Sequence, residues 1–233
     1  MQKTPVLKVE KLNKIYKNGE STLQVLKEVD LTIYQGEFTF IIGASGSGKS
    51  SLLQIMGGLD KANSGLVDVC GQDLSCMTDE SLAAFRRKNM GFVFQFFNLL
   101  ENLNAIENVA LPLMLDGVSW KEASDKAKKL LVEFGLQERL HHYPYQLSGG
   151  QMQRVAVCRA IVAKPSLLLA DEPTGNLDSK SARDLLSLFR KLSNEDGQTI
   201  VMVTHDMSLI DMGHRVIDIK DGQIEDDRRV EKG

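Results

Sequence analysis

The sequence is poor in the residues that build disulfide scaffolds. It contains three cysteines in 233 residues, at Cys70, Cys76 and Cys158, and their spacing matches no metal-binding pattern. An odd number of cysteines cannot all pair within one chain, and unpaired thiols are typical of a reducing compartment. We therefore expect reduced cysteines, as in a cytosolic protein, and neither a disulfide framework nor a zinc site.

Long apolar runs are also lacking. A transmembrane helix needs about 20 consecutive apolar residues, and no segment approaches that length. The first residues, MQKTPVLKVEKL, alternate polar and apolar side chains instead of forming the apolar core of a signal peptide. If the protein works at a membrane, we expect it to do so from the aqueous side, through another chain.

Positive charge is not in excess either. The net charge is −3, whereas a nucleic-acid binder normally carries a basic face, so we expect no nucleic-acid partner. Apolar residues make up 42% of the sequence and charged residues 25%, as in ordinary globular proteins. At 233 residues the chain is long for one minimal domain and short for two, which favours a single domain with an inserted lobe.

The pattern of apolar residues divides the chain into three parts. Alternation in VLKVEKLNKIY and VLKEVDLTIYQG, and the apolar runs EFTFII and MGFVFQ, predict mostly strands up to residue 95. The pattern is helical from about residue 96 to residue 163. PSLLLADEP and QTIVMVTHD are then typical of parallel strands buried on both faces, with a helix between them. Residues 166–205 are therefore predicted to form a βαβ unit.

Two local predictions concern a helix and a turn. Ser119 and Glu122 predict a capping box at the start of a helix that ends near Gly135. The apolar stripe of this helix is predicted to comprise Trp120, Ala123, Ala127, Leu130, Leu131 and Phe134. RVIDIKDGQIEDD predicts a hairpin that turns at Asp221 and Gly222.

Residues 41–50, IIGASGSGKS, place a glycine-rich loop between a buried strand and a helix. They satisfy the phosphate-loop pattern G-x-x-x-x-G-K-[ST]. Backbone without side chains lets successive N–H groups converge on phosphates, and the start of the helix adds its positive dipole end. The pattern predicts that Lys49 contacts the β- and γ-phosphates and that the hydroxyl of Ser50 binds Mg²⁺.

Two acids follow the apolar run LLLAD. Asp171 would complete the shell of the magnesium ion. A carboxylate just beyond a buried strand, as at Glu172, can face the γ-phosphate and accept a proton from an attacking water. The alternative is a pair of acids that cap the next helix.

A second anion site is indicated by YQLSGGQMQRVAVCRAIV. Here a serine and two glycines precede a segment with a clear helical pattern. The backbone N–H groups at the start of this helix are not covered by side chains and can bind an anion. The alternative is a serine N-cap with glycines that allow close packing.

LSGGQ at residues 147–151, between the phosphate loop and LLLADE, resembles the signature of ABC-type ATPases, and the resemblance covers nearly the whole chain. It implies an α/β fold with a P-loop NTPase core of mixed or parallel sheet, an N-terminal antiparallel β subdomain and an inserted α-helical subdomain. Residues 1–233 would form one ABC ATPase domain. Residues 1–95 and 164–233 would then make a RecA-like core with its antiparallel part, and about 96–163 the helical signature subdomain.

The resemblance also implies roles for single residues. Gln95 in VFQ would touch Mg²⁺ or the attacking water and report to a membrane partner, and His205 in VTHD would hydrogen-bond the γ-phosphate. Asp178 in GNLD corresponds to the D-loop aspartate, and Tyr16 in KIYKNG to an aromatic residue that stacks on adenine.

These implied roles form three sets, with ATP and Mg²⁺ as cofactors. The catalytic set is Glu172, His205, Gln95 and Lys49, and the metal set is Ser50, Gln95 and Asp171. The nucleotide-binding set is Tyr16, Gly43, Ser45, Gly46, Ser47, Gly48, Lys49, Ser50, Ser51, Ser148, Gly149, Gly150, Gln151 and Asp178.

The resemblance further implies that two copies pair head to tail. The loop around Lys49 of one copy and residues 148–151 of its mate would close on one ATP, so that a dimer encloses two nucleotides. ATP binding would then drive closure, and hydrolysis would release it.

FVFQFFNLLENLNAIENVALPL, DEPTGNLD and MGGLD are similar to the branch of lipoprotein-release (LolD), macrolide-efflux (MacB) and cell-division (FtsE) ATPases. This implies a subunit that powers a separate integral membrane permease from the cytoplasmic side of the inner membrane. An amino-acid-importer ATPase and a cell-division regulator with ATP-controlled assembly remain alternatives. A soluble ABC ATPase that acts on nucleic acid or ribosomes would need a coiled-coil insert or a second fused cassette.

The permease is expected to dock near Gln95 and the helical subdomain. An apolar cluster directly after Gln95 suits a groove for a short helix, and it comprises Phe96, Phe97, Leu99 and Leu100. The alternative is that these side chains pack the junction of two lobes.

Overall fold

The computed structural model describes residues 4–19 and 21–230. Its strands are β1 Pro5–Asn18, β2 Ser21–Tyr34, β3 Phe38–Ile42, β4 Ser64–Val69, β5 Gln72–Asp73, β6 Met90–Phe94, β7 Leu167–Asp171, β8 Thr199–Val203, β9 Arg215–Lys220 and β10 Gln223–Arg229. Its α-helices are α1 Lys49–Met56, α2 Asp79–Asn89, α3 Ala105–Leu115, α4 Trp120–Glu133, α5 Gly149–Ile161 and α6 Ser179–Asp196.

A six-stranded mixed sheet lies at the centre, in the order β10-β9-β3-β8-β7-β6. β3, β6, β7, β8 and β9 run parallel, and β10 pairs antiparallel with β9. All five residues of β3 and of β8 are buried because layers cover both faces of the sheet. The carboxyl ends of β3, β7 and β8 therefore meet at one edge, where ligands bind in open α/β sheets.

The two layers have different compositions. Phe38, Phe40, Leu168 and Ala170 face a core that also contains residues of α3, α4, α5 and α6. The alternate side chains of the same strands, such as Ile41 and Leu169, pack with α1 and with an antiparallel sheet of order β2-β1-β4-β5. The period of two in a strand places successive side chains on opposite layers.

The structure confirms the predicted sheets, the βαβ unit β7–α6–β8 and the β9–β10 hairpin. Strands predominate up to residue 95, as predicted, but the sequence did not predict α2 at residues 79–89. Only Leu82 of this helix is fully buried, so its sequence carries no apolar stripe. The helical part also begins later than predicted, with α3 at Ala105 after an irregular segment at 96–104.

The predicted start of α4 is only half correct. Ser119 accepts the backbone N–H of Glu122, as in a capping box, but the Glu122 carboxylate pairs with Lys126 instead of returning to Ser119. Trp120 is half exposed, while Ala123, Ala127 and Leu131 make the buried stripe. In residues 4–19 and 21–230, no helix combines the length and the apolar character that a membrane crossing demands.

Candidate functional site

The glycine-rich loop links β3 to α1 and can be built only with glycine at two positions. Gly43 has φ +143°, and a Cβ there would overlap the carbonyl oxygen of Ile219. Gly48, the N-cap of α1, has φ +106°, and its Cβ would lie 2.8 Å from the carbonyl oxygen of Val25. Both contacts are with backbone, which cannot move aside cheaply, so the pattern reflects steric need as well as ligand access.

Lys49 is 6% exposed although it carries a charge. Its Nζ donates to the carbonyl oxygens of Gly43 at 2.9 Å and Ala44 at 2.7 Å. An ammonium has three N–H donors, so one is left after these two bonds. The nearby Ser47 hydroxyl is buried and has no hydrogen-bond partner among the described residues. A spare cationic donor beside an unsatisfied hydroxyl, within a loop of bare backbone, suits a polyphosphate.

Ser50 and Asp171 come together at the edge of the sheet. The Ser50 hydroxyl, in the first turn of α1, donates to Asp171 Oδ1 at 3.0 Å at the end of β7. Burial, followed by the charge of Glu172, raises the pKa of Asp171, whereas the Ser50 hydrogen bond and Lys49 oppose this rise. A hydroxyl and a carboxylate at this distance are hard oxygen donors of the kind that Mg²⁺ prefers.

Glu172 adopts a backbone conformation that is rare for its residue type. Its φ is +45°, and its N–H donates to the carbonyl oxygen of Val203 at 3.0 Å. This turn redirects the chain out of β7 immediately after Asp171. Strained backbone of this kind is frequent at functional sites and persists only where the surroundings hold it.

Gln95 directly follows β6 and faces the same edge. Its Nε2 donates to Asn176 Oδ1 at 3.4 Å, and Asn176 Nδ2 donates back to the Gln95 carbonyl at 3.0 Å. Gln95 helps to line a cavity of about 320 Å³, whose lining is Ser50, Phe94, Gln95, Phe96, Asn98, Asp171 and Glu172. The structure thus brings the predicted metal set and Glu172 together around one space.

His205 lies just beyond the end of β8. β8 pairs with β7, and Glu172 directly follows β7. Its Nδ1 lies 3.2 Å from a carboxylate oxygen of Glu172, and its ring is largely exposed. The predicted histidine and the predicted general base are therefore direct neighbours.

The LSGGQ segment forms the start of α5. Ser148 Oγ accepts the N–H of Gln151 at 3.3 Å, and the Ser148 N–H donates to Gln151 Oε1 at 2.9 Å, which completes a capping box. A Cβ on Gly150 would lie 3.0 Å from the Ser181 hydroxyl, so close packing contributes as well. None of residues 148–151 lines the cavity around Ser50 in the described chain.

Asp178 and Tyr16 lie on the flanks. Asp178 is the N-cap of α6, and hydrogen bonds from the side chain and backbone of Ser181 lower its pKa. Tyr16 on β1 is 39% exposed, and its hydroxyl lies 3.5 Å from Ser51 Oγ in the first turn of α1. Both residues occur at the surface, next to the elements that carry the rest of the site.

Two residues that the sequence analysis did not select support this site. Gln153 is fully buried in α5 and donates to the carbonyl oxygens of Phe94 at 3.2 Å and Pro173 at 2.7 Å. These carbonyls directly precede Gln95 and follow Glu172. The available signal was an amide on the apolar face of α5, alongside Val157 and Ala160.

Arg159 is the second such residue. It donates to the carbonyl oxygens of Phe97 at 2.9 Å and Asn98 at 2.5 Å, both of which have positive φ. Burial lowers the pKa of this guanidinium. α5 therefore holds the strained turn that follows Gln95.

Comparison with known proteins decides between the families that could share this geometry. The profile of the ABC transporter family matches residues 26–175, from β2 through the loop after β7. The chain belongs to the ABC transporter ATP-binding family. The predicted fold class is confirmed by this match and by the solved cassettes that the chain resembles.

Relatives of this ABC protein lie in the predicted branch. The lipoprotein-releasing system ATP-binding protein LolD of Bacteroides fragilis is 50% identical over 203 residues, which cover 87% of this chain and 94% of LolD. The macrolide export ATP-binding/permease protein MacB of Vibrio parahaemolyticus is 45% identical over 219 residues, or 94% of this chain. The chain spans about a third (33%) of that MacB.

Solved structures agree with the sequence relatives. A dimeric post-hydrolysis structure of the ATP-binding cassette MJ0796 bound to ADP and Pi superposes with a TM-score of 0.90 at 42% identity. The alignment covers 97% of this chain and 100% of the other. This ABC protein is accordingly an ATP-binding subunit and an ATP hydrolase, which confirms the predicted activity.

Proposed function

We propose that this ABC ATPase acts as a pair of identical copies, with each ATP held between the Lys49 loop of one copy and residues 148–151 of the other. The observation that carries this proposal is the cavity around Ser50, whose described lining lacks residues 148–151. The start of α5 thus has backbone N–H groups that do not line this cavity in the described chain. The MJ0796 cassette, which is dimeric in its structure with ADP and Pi, supports the pairing of two copies.

In this pair the phosphates would be bound by the loop from Gly43 to Ser51, with the spare donor of Lys49 and the free hydroxyl of Ser47 as its strongest polar groups. Mg²⁺, held by Ser50 and Asp171 with Gln95 nearby, would neutralise phosphate charge. Tyr16 would stack on the adenine, and Asp178 would lie at the junction of the two copies.

Hydrolysis would use the residues that follow β7 and β8. Glu172 accepts a proton from the attacking water, whose oxygen displaces ADP from the γ-phosphorus. His205 contacts Glu172 in the free chain and would hydrogen-bond the γ-phosphate in the closed pair. Gln95, held by Asn176, would place the water or the metal shell. ATP binding closes the pair, and product release reopens it.

Dimerisation of the Glu172→Gln variant tests the pairing. We expect this variant to bind ATP and to hydrolyse it only slowly, so size-exclusion chromatography with ATP should show a dimer. Adding Ser148→Arg should keep the protein monomeric while ATP still binds each chain. A control Ser187→Arg, on the exposed face of α6, should dimerise normally. A dimer that persists with Ser148→Arg would refute the shared site.

A second groove suits the membrane partner. It has a volume of about 400 Å³ and lies between α2, β6, α3 and α5, with apolar residues such as Phe92, Phe94 and Leu111 along its length. Arg86, Arg87 and Arg159 also line it, so its charge favours a partner with carboxylates. We assign this groove to a short amphipathic helix of the permease that carries at least one acidic residue.

The groove differs from the cluster predicted from the sequence. None of Phe96, Phe97, Leu99 and Leu100 lines it in the described chain, although Phe94, next to Gln95, does. Phe96 is 73% exposed and borders the cavity around Ser50 instead. A helix in the groove would thus contact the strand that ends at Gln95, which supports coupling between the permease and the ATP site.

The names of the relatives support a narrower assignment. The chain is similar both to LolD and to the ATP-binding part of MacB. Its proposed task is therefore to power lipoprotein release or the export of macrolide-like compounds. The protein would then lie at the cytoplasmic face of the inner membrane, bound to its permease.

Co-purification from detergent-solubilised membranes tests the docking groove. Leu115 lines the groove and is 63% exposed, whereas Leu23 on β2 is 66% exposed and lies elsewhere. We expect Leu115→Glu to lose the permease and Leu23→Glu to retain it, with both variants folded. Equal retention by both variants would exclude this groove as the docking site.

A further inference from the structure

Lys14 and Tyr16 are two residues apart on β1, beside an irregularity in its pairing with β2, and their side chains are in contact. The Lys14 Nζ lies 4.6 Å from the centroid of the Tyr16 ring. Lys14 is only 7% exposed, whereas Tyr16 is 39% exposed. One face of a partly exposed aromatic ring is therefore occupied by a buried cation.

Asp60, in the loop that follows α1, contacts both Lys14 and Tyr16. Its Oδ1 accepts from Lys14 Nζ at 2.7 Å, and its Oδ2 accepts from the Tyr16 hydroxyl at 2.7 Å. Lys14 Nζ also donates to the carbonyl oxygen of Lys61 at 2.7 Å. The ring of Tyr16 is thus held both at one face and at its tip.

These contacts restrict the ring in a defined way. A surface tyrosine ordinarily loses rotamer freedom when it binds a flat ligand, and a ring that is already fixed avoids that loss. Because the ammonium lies over one face of the ring, a stacked base would use the opposite face. The hydrogen bonds from Lys14 and Tyr16 lower the pKa of Asp60 although burial opposes the shift, so the carboxylate stays ionised as their acceptor.

The same contacts join the ring to the phosphate loop. Asp60 lies four residues beyond the end of α1, and the first turn of that helix contains Ser50 and Ser51. The separation between the ring and the phosphate-binding residues is therefore set through one rigid helix and one short loop.

We propose that Lys14 and Asp60 are positioning residues that hold the ring of Tyr16 so that its free face receives the nucleobase of ATP. This inference rests on the proposed contact between Tyr16 and adenine. The two residues contact Tyr16 and lie outside the phosphate loop, so we expect them to act on binding of the base.

Binding of ATP and of inorganic tripolyphosphate, which has no base, separates this role from a general structural one. In the Glu172→Gln background, calorimetry should show that Asp60→Ala and Lys14→Met each weaken ATP binding about threefold to tenfold, the range for one hydrogen bond or cation–π contact. Affinity for tripolyphosphate should not change. The kcat/KM for ATP, measured without Glu172→Gln, should fall in the same proportion as ATP affinity.

Three controls make the test decisive. Lys61→Met removes an exposed charge from the same loop and should affect neither ligand. In a Tyr16→Phe background, Asp60→Ala should have a smaller effect than it has alone, because the hydroxyl that it holds is absent. A melting temperature for each variant verifies that it is folded.

Several outcomes would overturn the proposal. ATP affinity within twofold of the parent, or an equal loss for both ligands, would show that Lys14 and Asp60 do not act on the base. If Tyr16→Ala weakens ATP binding but Asp60→Ala does not, the positioning role of Asp60 is refuted and the contact between Tyr16 and adenine stands. If Tyr16→Ala has no effect, the adenine contact fails, and the positioning role fails with it.

Discussion

The Nδ1 atom of His205 lies 3.2 Å from a carboxylate oxygen of Glu172. The two residues follow neighbouring parallel strands, so the sheet itself sets their separation. Glu172 is also fixed by its positive φ and by the bond from its N–H to the Val203 carbonyl. If Glu172 is the general base, as we propose, it needs little reorganisation before it accepts a proton.

Replacement of Glu172 by glutamine should lower turnover by about 10²–10⁴-fold, the usual contribution of a general base. ATP affinity should change little, because the amide keeps the size of the side chain and the phosphate loop is untouched. Steady-state phosphate release and equilibrium ATP binding measure the two effects. Met207→Ala, an exposed neighbour of His205, serves as the control. Near-normal turnover by Glu172→Gln would remove this residue from the role of base.

Replacement of Asp171 by asparagine should stabilise the free protein and abolish Mg²⁺-dependent turnover. Burial raises the pKa of Asp171 in the folded state above its ordinary value, so at neutral pH the ionised carboxylate disfavours folding. The asparagine oxygen can still accept from Ser50. We expect the melting temperature at pH 7, without nucleotide or metal, to rise by about 1–3 °C.

The pH dependence of this gain checks its cause. The cost of the carboxylate grows as pH rises through the raised pKa and vanishes below the ordinary carboxyl pKa, where Asp171 is protonated in both states. The difference in melting temperature between the two proteins should shrink accordingly as the pH is lowered. A gain that is independent of pH would point to packing instead of charge.

Alanine at Gly43 and at Gly46 should have unequal effects on stability. A Cβ on Gly43 would overlap the Ile219 carbonyl, whereas a Cβ on Gly46 meets nothing within 4 Å. Both have positive φ, at +143° and +78°, so Gly46→Ala should cost about 1–2 kcal/mol from strain alone. Gly43→Ala should cost more than about 3 kcal/mol. Urea unfolding measures both values, and equal costs would contradict the predicted overlap.

Gln153→Leu should lower both stability and turnover. The leucine leaves the carbonyls of Phe94 and Pro173 without their buried donor, which costs about 1–3 kcal/mol in the free energy of unfolding. Because these carbonyls adjoin Gln95 and Glu172, we expect kcat to fall about tenfold or more while KM for ATP changes little. Gln137→Leu, in an exposed turn, is the matched control. Unchanged kcat would limit Gln153 to a role in stability.

The sequence predicted the buried sheet and the phosphate loop well because each leaves a pattern within a short stretch of residues. β3, β7 and β8 are almost wholly apolar since both faces are covered, and residues 43–50 contain the whole phosphate-loop pattern. The backbone that makes glycine necessary at Gly43 and Gly48, which belongs to Ile219 and Val25, is distant in the sequence. Placement at the ends of parallel strands followed from the βαβ rule. The roles of Tyr16, Gln95, Asp178 and His205 came from family resemblance, and they stay predictions.

The contacts that the sequence could not predict join distant segments. Lys14 and Asp60 are 46 residues apart, and Gln153 lies 59 residues from Phe94, so no short-range pattern signals either pair. α2 escaped prediction because a helix that buries one leucine has no periodic stripe. The proposed docking groove is likewise formed by four separate elements, so no single stretch of the sequence indicates its lining. Docking at the apolar cluster directly after Gln95 stays a prediction.

The position of β3 has a consequence for how the molecule is made. Its two neighbours in the sheet are β8 and β9, and the Gly222 N–H then donates to the Ser47 carbonyl in the phosphate loop. A ribosome that has translated the phosphate loop must therefore add more than 170 further residues, through Gly222, before the loop has its supports. Until then both edges of β3 in the nascent chain are unpaired. Unpaired strand edges are prone to aggregation, and chaperones bind such segments. We therefore expect ATP to stabilise only polypeptides that have been translated at least through Gly222.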